Sequence, residues 1–367
     1  MPAGMVAALS TSHSIETTVE VWTAPPNATK LASLHIESGS VTLQNQGAER
    51  RDCQAILAPV SPDAIPTSLL SPLNPLGPEA RIWYSVSGGY RILLGIFGIT
   101  SVVLDDSGPD LTVTLSGQDR SQAIARRQMI HPYSVTAGTN VATAIQSLIA
   151  ATTPGLPTSF SFSPTTATVG AFTWDEGQDP WQAAQQMAQA VGQQLHFGPD
   201  GALRMEPLPN AAQIAPCWTY REGVGGMLLK VQRTFTQTGV ANDIRVLAES
   251  TAYGATSFTG VAQDTDLRSP TRISGPFLDT AAVTFSQMPG TVAEANAEAL
   301  LLLRQSLGMA DQLSLTTLPN PAHEVYDVIR VQRKRIGLDG LYVLDGAVIP
   351  LDPATPQTIT ARVVVDR

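Results

Sequence analysis

The sequence predicts an α+β fold, mainly β, in which two β-rich regions flank a mixed unit and the second β region is interrupted. Three observations predict it. Apolar and polar residues alternate at period two over 14–118 and again after Trp218. The 29 glycines and 27 prolines are spread along the chain, as turns between short strands require. Helical periodicity with capping residues is confined to 119–209 and to the segment after Thr291.

In the first region, Thr17, Val19 and Val21 alternate with Thr18, Glu20 and Trp22. Residues 31–36 and 41–43 read as two strands with Ser38-Gly39-Ser40 between them. A strand over 53–57 follows, then a Pro-rich loop from Pro59 to Pro78. Strands over 81–87 and 90–104 form a hairpin through Gly88-Gly89. After a turn at 105–110, Leu111, Val113 and Leu115 alternate again. About seven strands at this spacing fit a barrel or a sandwich.

At Gly117-Gln118-Asp119 the period changes. Asp119 caps a short helix over 120–128, and Thr139 or Asn140 caps a second, whose Val141, Ile145, Leu148 and Ile149 share one face. A Thr/Ser/Pro-rich stretch covers 152–168. Asp179-Pro180 then starts a third helix with Trp181, Ala184, Ala188 and Val191 as its buried stripe and Gly192 near its end. Strands over 194–197 and 202–206 enclose the turn Gly198-Pro199-Asp200-Gly201.

From Trp218 the β pattern returns, with strands over 227–236 and 242–249 around Thr238-Gly239. Residues 251–290 read as irregular. Thr291-Val292-Ala293-Glu294 is a capping box that opens a long helix, and Gly308 follows its end. Strands over 312–316, 325–331, 341–344 and 358–365 close the chain, with Asp339-Gly340 as a hairpin turn. The β pattern of 14–118 is loosely echoed by 225–250 plus 311–367, the second copy being interrupted by 251–309.

Charge and chemistry exclude more than they propose. A net charge of −9 argues against a sequence-independent grip on DNA. Residues 1–118 carry 5 basic and 10 acidic side chains, so the acid excess is concentrated there. Cys53 and Cys217 are too few and too distant for a disulfide framework or a zinc site, and are expected to be small buried apolar residues. No apolar run reaches the roughly 18 residues a membrane span needs, and residues 1–10 lack the basic and apolar regions of a signal peptide. HExxH, paired CxxC, GxSxG and P-loop motifs are absent, and Gly223-Val224-Gly225-Gly226 has no strand-then-helix context. His13, His35, His131, His196 and His323 are scattered. No catalytic, cofactor-binding or metal-binding residue is predicted.

Two clusters invite an alternative. Asp175, Glu176 and Asp179 lie beside Trp174 and Trp181. They read as carboxylates flanking a sugar ring, or as acids favoured at a helix N-terminus. In His323-Glu324-Val325-Tyr326-Asp327 a strand would send Glu324 and Asp327 to opposite faces, which denies them a joint role. Arg330, Arg333, Lys334 and Arg335 form the one basic run, read as the solvated face of a strand and turn, or as a dock for an acidic protein partner.

Two stretches resemble a known family. The first joins Leu94-Gly95-Ile96-Phe97-Gly98-Ile99 to Val113-Thr114-Leu115-Ser116-Gly117-Gln118-Asp119-Arg120 and continues through Pro132-Tyr133-Ser134-Val135. The second runs from Asp179-Pro180-Trp181 to Asp200-Gly201-Ala202-Leu203. Their order is similar to that in tail hub proteins of tailed bacteriophages, the baseplate and tail-tip hubs related to late control protein D. His323 to Val331 with Gly340-Leu341-Tyr342-Val343 looks like that family's closing barrel. The resemblance implies two tube-like β-barrel domains, at 1–118 and at 210–250 plus 310–367. An α+β domain at 119–209 would lie between them, with an insertion at 251–309. It implies a homotrimer, pseudo-six-fold, at the distal end of the virion tail after synthesis in the host cytoplasm. Its partners would be the distal tail or tail tube ring, the tape measure protein and other tip or spike proteins, with phage DNA in transit. It implies no enzyme, no cofactor and no membrane insertion. The alternatives are a tail-associated glycan hydrolase using Asp175, Glu176 or Asp179, and a carbohydrate- or receptor-binding module displaying Trp174 and Trp181.

Overall fold

The computed structural model describes residues 14–45, 47, 49–58, 65–86, 89–108, 111–156, 159–207, 209, 211–248, 257–286 and 291–364. Residues 1–13, Gly88, Asp110 and the start of the Pro-rich loop lie outside the described residues.

The first β region supplies β1 (Ile15–Trp22), β2 (Lys30–Gln44), β3 (Arg51–Leu57), β4 (Glu79–Val86), β5 (Tyr90–Asp105) and β6 (Thr112–Asp119). They pair in the order β1-β4-β5-β6-β3-β2, and β2 pairs back onto β1, so the circuit of hydrogen bonds closes. Alternation places Val19, Val21, Ala55, Leu57, Ile82, Tyr84, Val113 and Leu115 in one core. The break between two strands expected at Ser38-Gly39-Ser40 does not form. β2 runs straight through it, pairing β1 with its first half and β3 with its second, and the register shifts between Ile36 and Ser38. Gly39 has φ +134°, and a Cβ there would strike the Gln54 carbonyl oxygen. The glycine marks a bulge where two backbones touch, not a chain reversal.

The mixed unit contains α1 (Arg120–Ala125), β7 (Tyr133–Val135), β8 (Thr139–Asn140), α2 (Val141–Thr152), β9 (Phe160–Phe162), β10 (Thr168–Val169), β11 (Phe172–Trp174), α3 (Pro180–Gln189), β12 (Gln193–Phe197) and β13 (Leu203–Pro207). Asp119, Asn140 and Asp179 cap the three helices through their side-chain oxygens. α1 stops at Ala125, three residues short of the expected end. Val141, Ile145, Leu148, Trp181, Ala184 and Ala188 pack with Phe197 and Leu203 into a second core. β9 arises in the Thr/Ser/Pro-rich stretch 152–168 and joins β13 in parallel.

The remainder holds β14 (Trp218–Arg221), β15 (Leu228–Phe235), β16 (Asp243–Ala248), β17 (Phe258–Gln263), β18 (Ala281–Ser286), α4 (Val292–Leu307), β19 (Asp311–Thr317), β20 (Val328–Arg333), β21 (Leu338–Pro350) and β22 (Gln357–Val363). Thr291 caps α4 by accepting the Glu294 N–H at 3.2 Å. Two readings are corrected here. β16, expected beside β15, pairs with β17 and β18 instead, and α4 covers that small sheet through Ala295, Ala299 and Leu303. Asp339-Gly340 is not a turn: both residues sit in β21 opposite Gln332 and Val331. The reversal falls at Gly337, which takes φ +60°, while Arg330 donates to both Asp339 oxygens at 2.8 and 3.0 Å across the strands.

β14, β20, β21, β22, β19 and β15 pair in that order. Each set has six strands, and in both the first strand pairs the fourth, the fourth the fifth, the fifth the sixth, the sixth the third and the third the second. The sets differ in two respects. β14 runs parallel to β20 where β1 is antiparallel to β4, and the link that closes the first circuit has no counterpart between β14 and β15 among the described residues. Residues 40–44 of β2 pair with 346–350 of β21, which makes one twelve-stranded sheet of the two sets.

A buried polar node fastens this sheet to the mixed unit. Arg120 donates to both carboxylate oxygens of Glu79 at 2.8 and 2.7 Å and to the Gly201 carbonyl at 2.9 Å, with both side chains almost fully buried. Asp119 accepts the Arg50 and Arg51 N–H groups at 2.9 and 3.0 Å and caps α1 through Ser121. Arg51 in turn pairs with Glu324, and Arg50 reaches the Val325 carbonyl at 3.1 Å. Gly201 has φ +71°, and a Cβ there would sit 2.7 Å from the Arg120 guanidinium.

Removing one partner of such a pair leaves a bare buried charge. Arg120→Met is expected to destabilise the chain by about 3–5 kcal/mol in urea denaturation, and Glu79→Leu added to it is expected to restore most of that loss. Gly201→Ala is expected to cost about 1–3 kcal/mol in the same assay, from its left-handed backbone and the clash with Arg120.

Candidate functional site

The acidic cluster does structural work. Asp179 accepts the Trp181 and Gln182 N–H groups at 2.7 and 3.4 Å, while Asp175 and Glu176 are exposed on the preceding turn. Trp174 is buried edge-on to Phe172 at 4.9 Å and donates to Gln186 Oε1 at 3.3 Å. Trp181 is buried and stacked on Phe197 with ring centroids 5.5 Å apart. Neither indole presents a face for a sugar. Two members of the basic run are likewise engaged, Arg330 with Asp339 and Arg333 with Glu222 at 3.1 Å, while Lys334 and Arg335 are exposed.

The segment read as a strand at 323–327 is a turn, and this changes what meets there. Tyr326 is a non-glycine residue at φ +71°. It donates its N–H to Leu344, and Asp327 donates its own N–H to the Glu324 carbonyl at 3.1 Å. Asp327 Oδ2 accepts the Glu324 N–H at 3.0 Å and lies 3.2 Å from His323 Nδ1. The imidazole is buried, with Nε2 2.7 Å from Tyr220 Oη and 3.3 Å from Asn320 Nδ2. Cys217 enters from the start of β14, its N–H donating to the Val328 carbonyl at 2.8 Å. Its sulfur completes a Cys217–His323–Asp327 group whose ligand atoms all lie within 4.8 Å of one another.

Sequence reasoning missed this cluster, because its members are brought together by the parallel β14–β20 pairing and not by spacing. Cys53 is buried as expected, but Cys217 is exposed. Loss of water around the Cys217 thiol and the neighbouring Asp327 push its pKa up to about 12. Both imidazole nitrogens already have partners, so the thiol has no base to activate it for acyl transfer. His196 is neutral: burial, then Arg50, Arg51 and Arg204, hold its pKa well below the usual imidazole value.

One face of the large sheet forms a groove. The register aligns Gln44, Gly346, Thr360, Ser314 and Gln232 in one row across β2, β21, β22, β19 and β15. The neighbouring row runs from the exposed Lys230 through Thr316, Thr358, Val348, Thr42 and Asp52 to Gln118. This side lies opposite the apolar core and forms a groove of about 480 Å³ whose lining, among the described residues, includes no Lys or Arg. Asp345 lies at its edge, bound to Arg362 at 2.8 Å and Asn45 at 2.6 Å. Burial outweighs both partners and raises its pKa to about 6. The period-two run of Thr, Ser and Gln was the available sequence signal for this face.

Among the described residues, two of the open strand edges of the large sheet expose apolar side chains. β15 pairs only with β19, and it exposes Leu229 and Phe235. Beyond β4, residues 100–105 of β5 pair only with β6, and Val103 and Leu104 are exposed there.

No protein-family model matches the chain, and no curated protein matches it. Solved structures do. A tail protein from Neisseria meningitidis MC58 superposes with TM-score 0.67 at 15% identity, covering 94% of this chain and 96% of that one. The 43 kDa tail protein of prophage MuSo2 from Shewanella oneidensis gives 0.63 at 10% identity, covering 95% and 98%. The chain has the fold of phage tail proteins. A Francisella PdpA-VgrG complex gives 0.54 at 9% identity, covering 95% of this chain and 52% of the matched one. The fold class expected from the sequence is thus met in its mainly β, α+β character.

Asp345 makes stability pH-dependent with a definite sign. Its folded pKa of about 6 exceeds the 3.8 of an unperturbed Asp, so the folded state holds the extra proton between these values. Stability from this group is full below about pH 4 and lost as pH rises through about 6. Wild type minus Asp345→Asn in urea denaturation is expected to fall by about 2 kcal/mol from pH 4 to pH 7.

Proposed function

We propose that the chain is a structural tail hub. Three copies form a ring that joins the hexameric tail tube to the tail tip and lines the DNA channel. The observation that carries the reading is the repeated pairing order of the two six-stranded sets. Each set is read as one tube-like barrel, so three chains offer six wall units to a hexameric tube. The second barrel then comprises β14, β15 and β19–β22, interrupted by an insertion running from β16 to α4.

The Thr/Ser/Gln face is read as the channel wall. A duplex that must pass without sticking is served by a wall with few cations, since phosphate contacts through Lys and Arg supply most non-specific affinity. The open edges are read as the contacts between copies. β15 of one copy would add to residues 100–105 of β5 in the next, a head-to-tail contact that closes into a ring. The remaining partners would be the distal tube ring, the tape measure protein and tip or spike proteins, the last in keeping with the fold likeness to a chain of a PdpA-VgrG complex. Such a role needs no active site, and it places the chain in the distal part of the virion. A glycan hydrolase is disfavoured because Asp179 is occupied as a helix cap and Trp174 and Trp181 are buried.

Light scattering over a range of concentrations tests the ring. The expected mass is three times the 38.8 kDa chain. Leu229→Asp with Phe235→Asp is expected to give a folded monomer with unchanged circular dichroism. A wild-type monomer at every concentration would contradict the closed ring.

A further inference from the structure

We propose that Cys217, His323 and Asp327 form a zinc site at the open edge of the second strand set. The inference does not rest on the tail reading. The three residues supply sulfur, nitrogen and oxygen, the donor types zinc accepts, and three protein ligands leave a fourth position for water. Tetrahedral bonds of about 2.0 Å to nitrogen and 2.3 Å to sulfur put ligand atoms roughly 3.3–3.7 Å apart. His323 Nδ1 and Asp327 Oδ2 are already at 3.2 Å, and all three donor atoms fall within 4.8 Å. The exposed Cys217 side chain can close the remaining distance by rotation, and its exposure gives the ion a way in.

The surroundings are those of a built site. His323 is buried and held at Nε2 by Tyr220 Oη at 2.7 Å, the outer hydrogen bond that orients a ligating imidazole binding through Nδ1. The Glu324 N–H fixes Asp327 Oδ2. Binding displaces the thiol proton to solvent and neutralises two acidic groups at one position. The ion would clamp the start of β14 to the turn before β20, on the strand whose other edge is unpaired among the described residues.

The test uses the full chain, stripped with a chelator and titrated with Zn²⁺ against a chromophoric competitor, then with Co²⁺. The expected results are one ion per chain and, with Co²⁺, a near-ultraviolet thiolate charge-transfer band with the visible bands of a tetrahedral site. Cys217→Ala, at an exposed position, is expected to abolish the band and weaken Zn²⁺ at least tenfold, with circular dichroism unchanged. Asp327→Asn is expected to weaken binding similarly, and Tyr220→Phe by about tenfold. A wild-type chain that binds no Zn²⁺ at micromolar concentrations overturns the proposal, as does a Cys217→Ala chain that binds like wild type.

Discussion

Arg120 is a guanidinium without access to water, and the arrangement of the molecule turns on how its charge is met. Glu79 at the start of β4 answers it with two hydrogen bonds, and the Gly201 carbonyl takes a third. The pair therefore joins three segments distant in sequence: the first strand circuit, the first helix of the mixed unit and the β12–β13 hairpin turn. One residue earlier, Asp119 receives two backbone N–H groups from the start of β3. Buried ion pairs are weak sources of net stability but tolerate few alternative geometries. The node thus sets where the mixed unit sits more than how stable the chain is.

From this node the contacts run onward to the second strand set. Arg50 and Arg51 follow the β2–β3 connection and reach Val325 and Glu324 in the turn before β20. That turn also contains the left-handed Tyr326 and supplies His323 and Asp327, which meet Cys217 from the start of β14. The first set closes on itself because β2 is long enough to serve β1 with its first half and β3 with its second, where it also meets β21. β15 is shorter and pairs only with β19, so the second set keeps an open edge. In the proposed ring, that difference in strand length separates a self-contained half from one that seeks a neighbour.

Much of the fold was legible because local chemistry and final structure agree. Asp119, Asn140, Asp179 and Thr291 announce their helices, since a capping oxygen needs no tertiary context to be recognised. Gly39 and Asp339-Gly340 both lie inside strands, and only the partner strand distinguishes a glycine within a strand from one at a break or reversal. β16 was assigned to the wrong neighbour because alternation reports that a residue faces a core, not which core. The resemblance was carried by Asp119-Arg120 and Asp200-Gly201, and these motifs meet at the buried node. The cysteine, histidine and aspartate were individually visible but lie in separate segments. Their meeting depends on a parallel strand pair that no spacing encodes.

In the proposed ring the groove on the Thr/Ser/Gln face, whose lining includes no Lys or Arg among the described residues, faces an axial channel. Electron cryomicroscopy of the purified assembly, at a resolution that traces strands, tests it directly. The account predicts three chains about one axis, with Thr358 and Thr360 of β22 and Gln44 of β2 directed at the lumen and β15 laid against β5 of the next copy. A ring with that face turned outward, or covered by a lateral contact, would contradict it.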